Sequence, residues 1–394
     1  MNNIKLGLIP SPDLPADITS QFIDELPEFL RRTVNDTIEW KTQIVIDPLV
    51  GTAEHIKQVI DKSIQLKEKN DWDYVICLTD LPYFSDKHVV VADLNVEHNV
   101  AFVSIPAFGT FPMKRRIKNI IADILNDLEK SNINNIIEQD YVNTVSTSIR
   151  RKATYSELEH ANNESNEDDK DNFTQEDTED KSHVKYVINS KWLGHMRILA
   201  GMTFANRPWS ALISFKKIIM LAFGTGVYIT LFPTPWELST IYSLPRFVIL
   251  MIFAILGMVT WLIFAHQLWE KPTHRGDVRL RKLYNYTTVS TLLTISIFNY
   301  IVLYSLFLLA ISIFVPAELF EAVTDLEDDA SLVYYFQLTW LITSLGTLAG
   351  SIGATSEDEN KIRQITYSYR QINRSYEIEN EKADDEQESG YEYG

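Results

Sequence analysis

The sequence predicts an α/β N-terminal soluble domain, a mainly parallel or mixed sheet with flanking helices, followed by a C-terminal all-α four-helix transmembrane bundle. Three observations lead there. Residues 247–264 form an uninterrupted stretch without charge, and about 18 such residues suffice for a helix to cross the hydrocarbon core of a bilayer. Residues 4–128 alternate short apolar runs with amphipathic stretches, the pattern of strands joined by helical crossovers. Between the two halves lies a strongly acidic segment poor in large apolar residues.

The head reads in order as follows. Residues 4–9 are a short apolar run closed by Pro10-Ser11-Pro12, a buried strand. Residues 16–34 place Ile18, Phe22, Leu26, Phe29 and Leu30 at helical spacing, with Pro27 expected to kink or split the helix. Residues 38–46 read as a second strand ended by Asp47-Pro48, and residues 53–69 as a helix with Ile56, Val59, Ile60 and Ile64 on one face. Residues 74–78 are a third strand, closed by Thr79-Asp80-Leu81-Pro82. Residues 88–92 and 100–105 flank a polar turn and predict a hairpin. Residues 113–128 are a last helix with Ile117, Ile120, Ile121, Ile124 and Leu128 apolar.

In open α/β sheets, ligands bind outside the carboxyl ends of the strands. Ser11, Asp47 and Asp80 fall there and are the candidate ligand-binding residues. The competing reading is that Asp at a turn caps backbone amides. No catalytic residue is identified: there is no GxGxxG after a strand, no GxxxxGK[ST] and no GxSxG elbow. His55, His88 and His98 are dispersed, so no metal site and no cofactor is expected. The single cysteine, Cys77, forms no internal disulfide, and on a buried strand it reads as packing. The net charge of −17 argues against nucleic acid as a partner, since phosphate binding needs clustered Lys and Arg.

The stretches GLIPSPDLP (7–15), DWDYVICLTDLP (71–82) and SIPAFG (104–109) resemble the head of an uncharacterised family of Gram-positive bacterial membrane proteins. Members are sometimes labelled as a folate dehydrogenase, and the sequence holds no dinucleotide motif to support that label. The order of elements is also similar to the first half of archaemetzincin-type peptidases. Their helix after the hairpin bears HExxH; here that helix reads MKRRIKNIIADILNDL and has no histidine. The resemblance therefore implies a shape without the zinc chemistry.

These patterns divide the chain into an α/β domain (1–132), an acidic disordered linker (133–182), an interfacial amphipathic helix (183–208), a membrane domain (209–355) and an acidic tail (356–394). The linker cannot bury enough apolar surface to offset ordering entropy and is expected to act as a flexible tether. Val184, Ile188, Trp192, Met196 and Leu199 are read as one face of a helix lying on the membrane.

Four spans are expected, at 212–232, 247–268, 286–315 and 332–352. Lys and Arg cluster before the first span, between the second and third, and after the fourth, whereas residues 233–245 and 316–330 carry none. By the positive-inside rule both termini are cytosolic, in a multi-pass cell-membrane protein. No signal peptide opens the chain. The span cores lack Asp, Glu, Lys and Arg, and Asn299, Gln337 and neighbouring Ser and Thr are read as interhelical hydrogen bonders. Gly346, Gly350 and Gly353 form a small-residue face for close helix packing, within the bundle or in a homodimer. The expected partners are the lipid bilayer and a protein or small molecule bound by the head. The leading expectation is thus a head that binds a ligand or partner in a localising, sensory or regulatory role. A membrane-tethered enzyme at the strand ends and a small-molecule transporter or channel subunit are the alternatives.

Overall fold

A computed structural model describes residues 2–51, 56–85, 88–133, 144–146, 149–154, 183–211, 215–270, 278–324, 331–353 and 362–363. The chain forms two compact units, Met1–Ala205 and Asn206–Ile372.

The first unit is built on a mixed sheet. Strands β1 (Asn2–Pro10), β2 (Ile38–Ile44), β3 (Tyr74–Thr79) and β6 (Val100–Ser104) run parallel. Helices α1 (Leu14–Ser20), α2 (Leu26–Thr33) and α3 (Ile56–Lys69) make the crossovers. The helix expected over 16–34 is indeed split, and Pro27 sits in the first turn of α2, where its missing N–H costs nothing. After β3 a short β4 (Phe84–Ser85) pairs with β5 (His88–Asn95), which forms the expected hairpin with β6. Helix α4 (Met113–Ile133) then returns along the sheet.

Alternation along the strands assigns the two faces. Ile9, Val75 and Cys77 pack with Val59, Trp72 and Val50 on the α3 side. Tyr74, on the other face, reaches α4, its hydroxyl donating to Glu129 at 2.8 Å.

The sheet does not stop at the hairpin. Strand β9 (His183–Ile188) lies antiparallel on β5, followed outward by β8 (Ile149–Thr154) and β7 (Thr144–Ser146). This corrects two expectations. Residues 183–188 are a strand, not the start of an interfacial helix. Val184, Tyr186 and Ile188 are all buried, the period-2 reading of the same residues. The head is also not closed at residue 132. Because Thr154 pairs with His183, the acidic residues 155–182 connect two neighbouring strands of the head's own sheet. They do not tether head to membrane, and they lie outside the described residues, as do the acidic tail beyond 363 and His55.

Helix α5 (Lys191–Ala205) follows β9 directly. It packs on the head through Gly194, Ile198, Gly201 and Met202, while Trp192 and Met196 stay exposed.

The second unit is helical: α6 (Pro208–Ala211), α7 (Lys216–Thr230), α8 (Pro233–Ile241), α9 (Leu244–Ala265), α10 (Val278–Phe314), α11 (Ala317–Thr324) and α12 (Leu332–Ile352). Three of these, α9, α10 and α12, are long and apolar enough to cross a membrane. The first expected span differs. Its 15-residue α7 reaches only roughly 22 Å against a hydrocarbon thickness of about 30 Å. It then bends by 89° into α8, and only the two together pass as a span. The bend falls at Pro233 in the first turn of α8.

Helix α12 is the axis of the bundle, packed against α7, α8, α9 and α10. Its small residues permit close approach to α7. A Cβ placed on Gly350 would lie 2.6 Å from that of Ala222, one on Gly346 3.0 Å from the Ala222 carbonyl oxygen, and one on Gly353 2.6 Å from Leu221. The glycine face is thus packed within the chain against α7.

Candidate functional site at the carboxyl edge of the sheet

Strands β1, β2, β3 and β6 end on one edge, and the structure brings the three candidate residues to it. Ser11 donates its backbone N–H to Leu78 O at 2.9 Å, locking the end of β1 to β3, and its hydroxyl donates to Asp80 Oδ1 at 3.3 Å. Asp47 is held beside them by its N–H on Pro10 O at 3.2 Å. Its carboxylate accepts the Leu49 N–H at 2.9 Å, an Asx turn that opens the 3-10 turn Pro48–Gly51. The loop after β3 is clasped further by Thr79 Oγ1, which accepts from Leu81 N at 3.1 Å, and by the Ser104 hydroxyl, which donates to Leu81 O at 2.6 Å.

Juxtaposition is one matter and access another. Ser11 is 0% exposed and Asp80 1%. The Ser11 hydroxyl is spent on Asp80, so this pair fastens the ends of β1 and β3 together. Cys77, one turn of chain away on β3, is equally closed. Burial pushes its thiol up to about 12, with Ser63 Oγ 3.0 Å from the sulfur. Such a thiol is neutral and unreactive at neutral pH. Among the described residues no three His, Cys, Asp or Glu side chains converge as metal ligands.

The part of the edge that faces outward lies beyond β6. There the chain turns through the 3-10 turn Ile105–Phe108 and Gly109, whose φ of 77° is a conformation that suits glycine. Two arginines from different elements converge over that glycine. A Cβ on Gly109 would lie 3.8 Å from Arg197 Cγ, on α5, and 3.9 Å from Arg116 Nη1, on α4. Arg116 Nη1 also donates to Phe108 O at 2.5 Å. Burial, then the neighbouring Arg116 charge, holds the Arg197 guanidinium below its usual range. Gly201 makes this arrangement possible: it lies so close to Pro106 that any side chain there would strike the backbone, so α5 rests directly on the turn.

Sequence reasoning missed this pair, because Arg197 reads as one of several cations before the first span. A signal was present at the other partner. Lys114, Arg115 and Arg116 crowd the first turn of α4, where the helix dipole disfavours cations. Lys114 is compensated by Glu25 at 3.2 Å, but Arg116 turns to the Gly109 edge. Two partly buried arginines brought to one edge supply the donors that pair with a carboxylate or phosphate group.

The Gly109 edge of the α/β head thus carries two partly buried cations, Arg116 and Arg197. Comparisons with protein-family models, with curated proteins and with solved structures gave no match.

Proposed function

We propose that this chain is a multi-pass membrane protein whose head binds an anionic ligand, or an acidic segment of a partner, at the Arg116–Arg197 edge, in a sensory or regulatory role. One observation carries the reading: Arg197 lies on α5, the helix that ends at Ala205, where the next unit begins. Any group that engages Arg116 and Arg197 together pulls on α4 and α5 at once, and so on the chain that enters the bundle. The short connection from Ala205 to α7 favours transmission over mere localisation. The exposed side chains of Trp192 and Met196, four residues apart on α5, provide an apolar face for the bilayer surface. The loop charges support four crossings, with α7 and α8 as one broken span and both termini cytosolic. We also assign the head to the Gram-positive membrane-protein family on the GLIPSPDLP and DWDYVICLTDLP stretches.

The test is calorimetric titration of the full chain in detergent with inorganic phosphate and with a short acidic peptide, at constant ionic strength. A saturable site is expected for one of them, weakened about tenfold or more by Arg197→Gln, since a charge-assisted hydrogen bond contributes about 1.5–3 kcal/mol. Equal, non-saturating responses of wild type and variant would overturn the reading.

A further inference from the structure

Helix α10 crosses two apolar clusters of the bundle. Leu292 and Ile295 belong to one, with Phe215, Ile218, Met258 and Leu262. Leu303 and Phe307 belong to the other, with Ala222, Ile311, Leu338 and Ile342. Between them, near the middle of this 37-residue helix, stand Ser296 and Asn299, both 0% exposed. They are three residues apart and so share a helix face.

Neither side chain makes a hydrogen bond among the described residues: Ser296 Oγ, Asn299 Oδ1 and Asn299 Nδ2 all lack a partner there. The contrast within α10 is informative. Thr287, Thr294, Ser305 and Ser312 each donate to the carbonyl four residues earlier, at 2.7 to 2.9 Å, the usual way a hydroxyl is satisfied inside a helix. Ser296 does not. On α12, which packs against α10, Thr343 and Thr347 donate to their own helix and keep acceptor lone pairs, and Ser344 meets the Tyr300 hydroxyl at 2.8 Å. The interhelical bond expected of Asn299 is therefore not made. An unpaired amide in an apolar surround costs roughly 2–7 kcal/mol, and a membrane offers it no bulk water.

We propose that Ser296 and Asn299 form a binding site, buried in the bundle, for a small uncharged hydrogen-bonding molecule. Asn299 presents both a donor and an acceptor, and Ser296 a hydroxyl, so the ligand must carry both functions. No charged side chain interrupts α10 between Lys282 and Phe314, so nothing there compensates an ion. Water meets the requirement, and so does a small solute with hydroxyl or amide groups.

The experiment is water-edited solid-state NMR on the uniformly 13C,15N-labelled full chain in lipid bilayers, joined to mass spectrometry of what the protein releases on denaturation. Magnetisation transfer from water to the Asn299 side-chain amide, absent at the backbone amides of Ile295 and Leu303, supports the site with water as occupant. A stoichiometric neutral molecule released by wild type but not by Asn299→Leu supports it with a solute as occupant. An Asn299 amide that shows neither, or that correlates instead with a Thr343 or Thr347 hydroxyl proton, overturns it. Because the readout lies in the bundle, its failure leaves the Arg116–Arg197 reading of the head untouched.

Discussion

Asp123 sits on α4 where burial, reinforced by the carboxylate of Asp127, raises it to about 6 from an ordinary 3.8. The folded head therefore binds this proton more tightly than the unfolded chain does. The resulting stabilisation is complete below the unfolded value of 3.8 and is lost as pH rises through about 6. Asp123→Asn should accordingly raise the melting temperature at pH 7 relative to wild type and flatten its fall between pH 4 and 7. An unchanged pH profile would show that the carboxyl does not titrate there. Cys77 offers a second check: the native thiol should resist maleimide and react fully only after denaturation. At this scale the sequence was legible in part. Ser11, Asp47 and Asp80 do meet at the carboxyl edge, as strand ends of a parallel sheet must. The closure of Ser11 and Asp80 could not be read, because access depends on how Ser104 and the 79–81 turn fold over them. Arg116 and Arg197 are 81 positions apart and become neighbours only through the packing of α5 on the Ile105–Phe108 turn.

Elements with one clear period were readable, and elements with two were not. Val184 and Ile188 are four residues apart, a spacing that fits both a strand and a helix face. Tyr186, midway between them and 1% exposed, decides for the strand. β8 had no such mark: Arg150, Arg151 and Lys152 give it no apolar alternation, and its place comes from pairing with β9 and β7. The contact of α5 with the head is testable at Gly201. Gly201→Leu must displace α5 from Pro106, an overpacking cost of about 1–3 kcal/mol, and should make residues 189–205 cleavable by protease while the β1–β6 core stays resistant. Protection equal to wild type would mean α5 is not seated there. In the bundle, Gly350→Leu should lower the melting temperature of the full chain in detergent, because Ala222 occupies the space a side chain needs. If it instead changed only an oligomeric state, the glycine face would lie between copies.

The chain as a whole forms two units that meet in sequence at Ala205 and Asn206, and the acidic segment falls in sequence between two paired strands of the head. Replacing residues 155–182 with an Asn-Gly turn should leave the head folded, since Thr154 and His183 are already paired across the gap. A flexible tether between head and bundle would not behave this way, as shortening it would unmoor the two. Crossing number is settled by reporters fused after residues 240 and 325. Both are expected to read outside; a cytosolic signal at 240 would make the α7–α8 pair a re-entrant element that dips and returns.

The placement of β9 has a consequence for how the chain is made. Synthesis proceeds from the N-terminus, so β1 to β6 exist well before their last neighbour. Until residues 183–188 arrive, β5 is paired with β6 on one side and presents an open edge on the other, along a strand that contains Val90 and Leu94, an edge of the kind that recruits other strands. A fragment ended at residue 132 would keep that edge open for good and should self-associate, whereas one ended at residue 205 should remain monomeric. The nascent head is thus completed only a few residues before the first helix of the bundle begins.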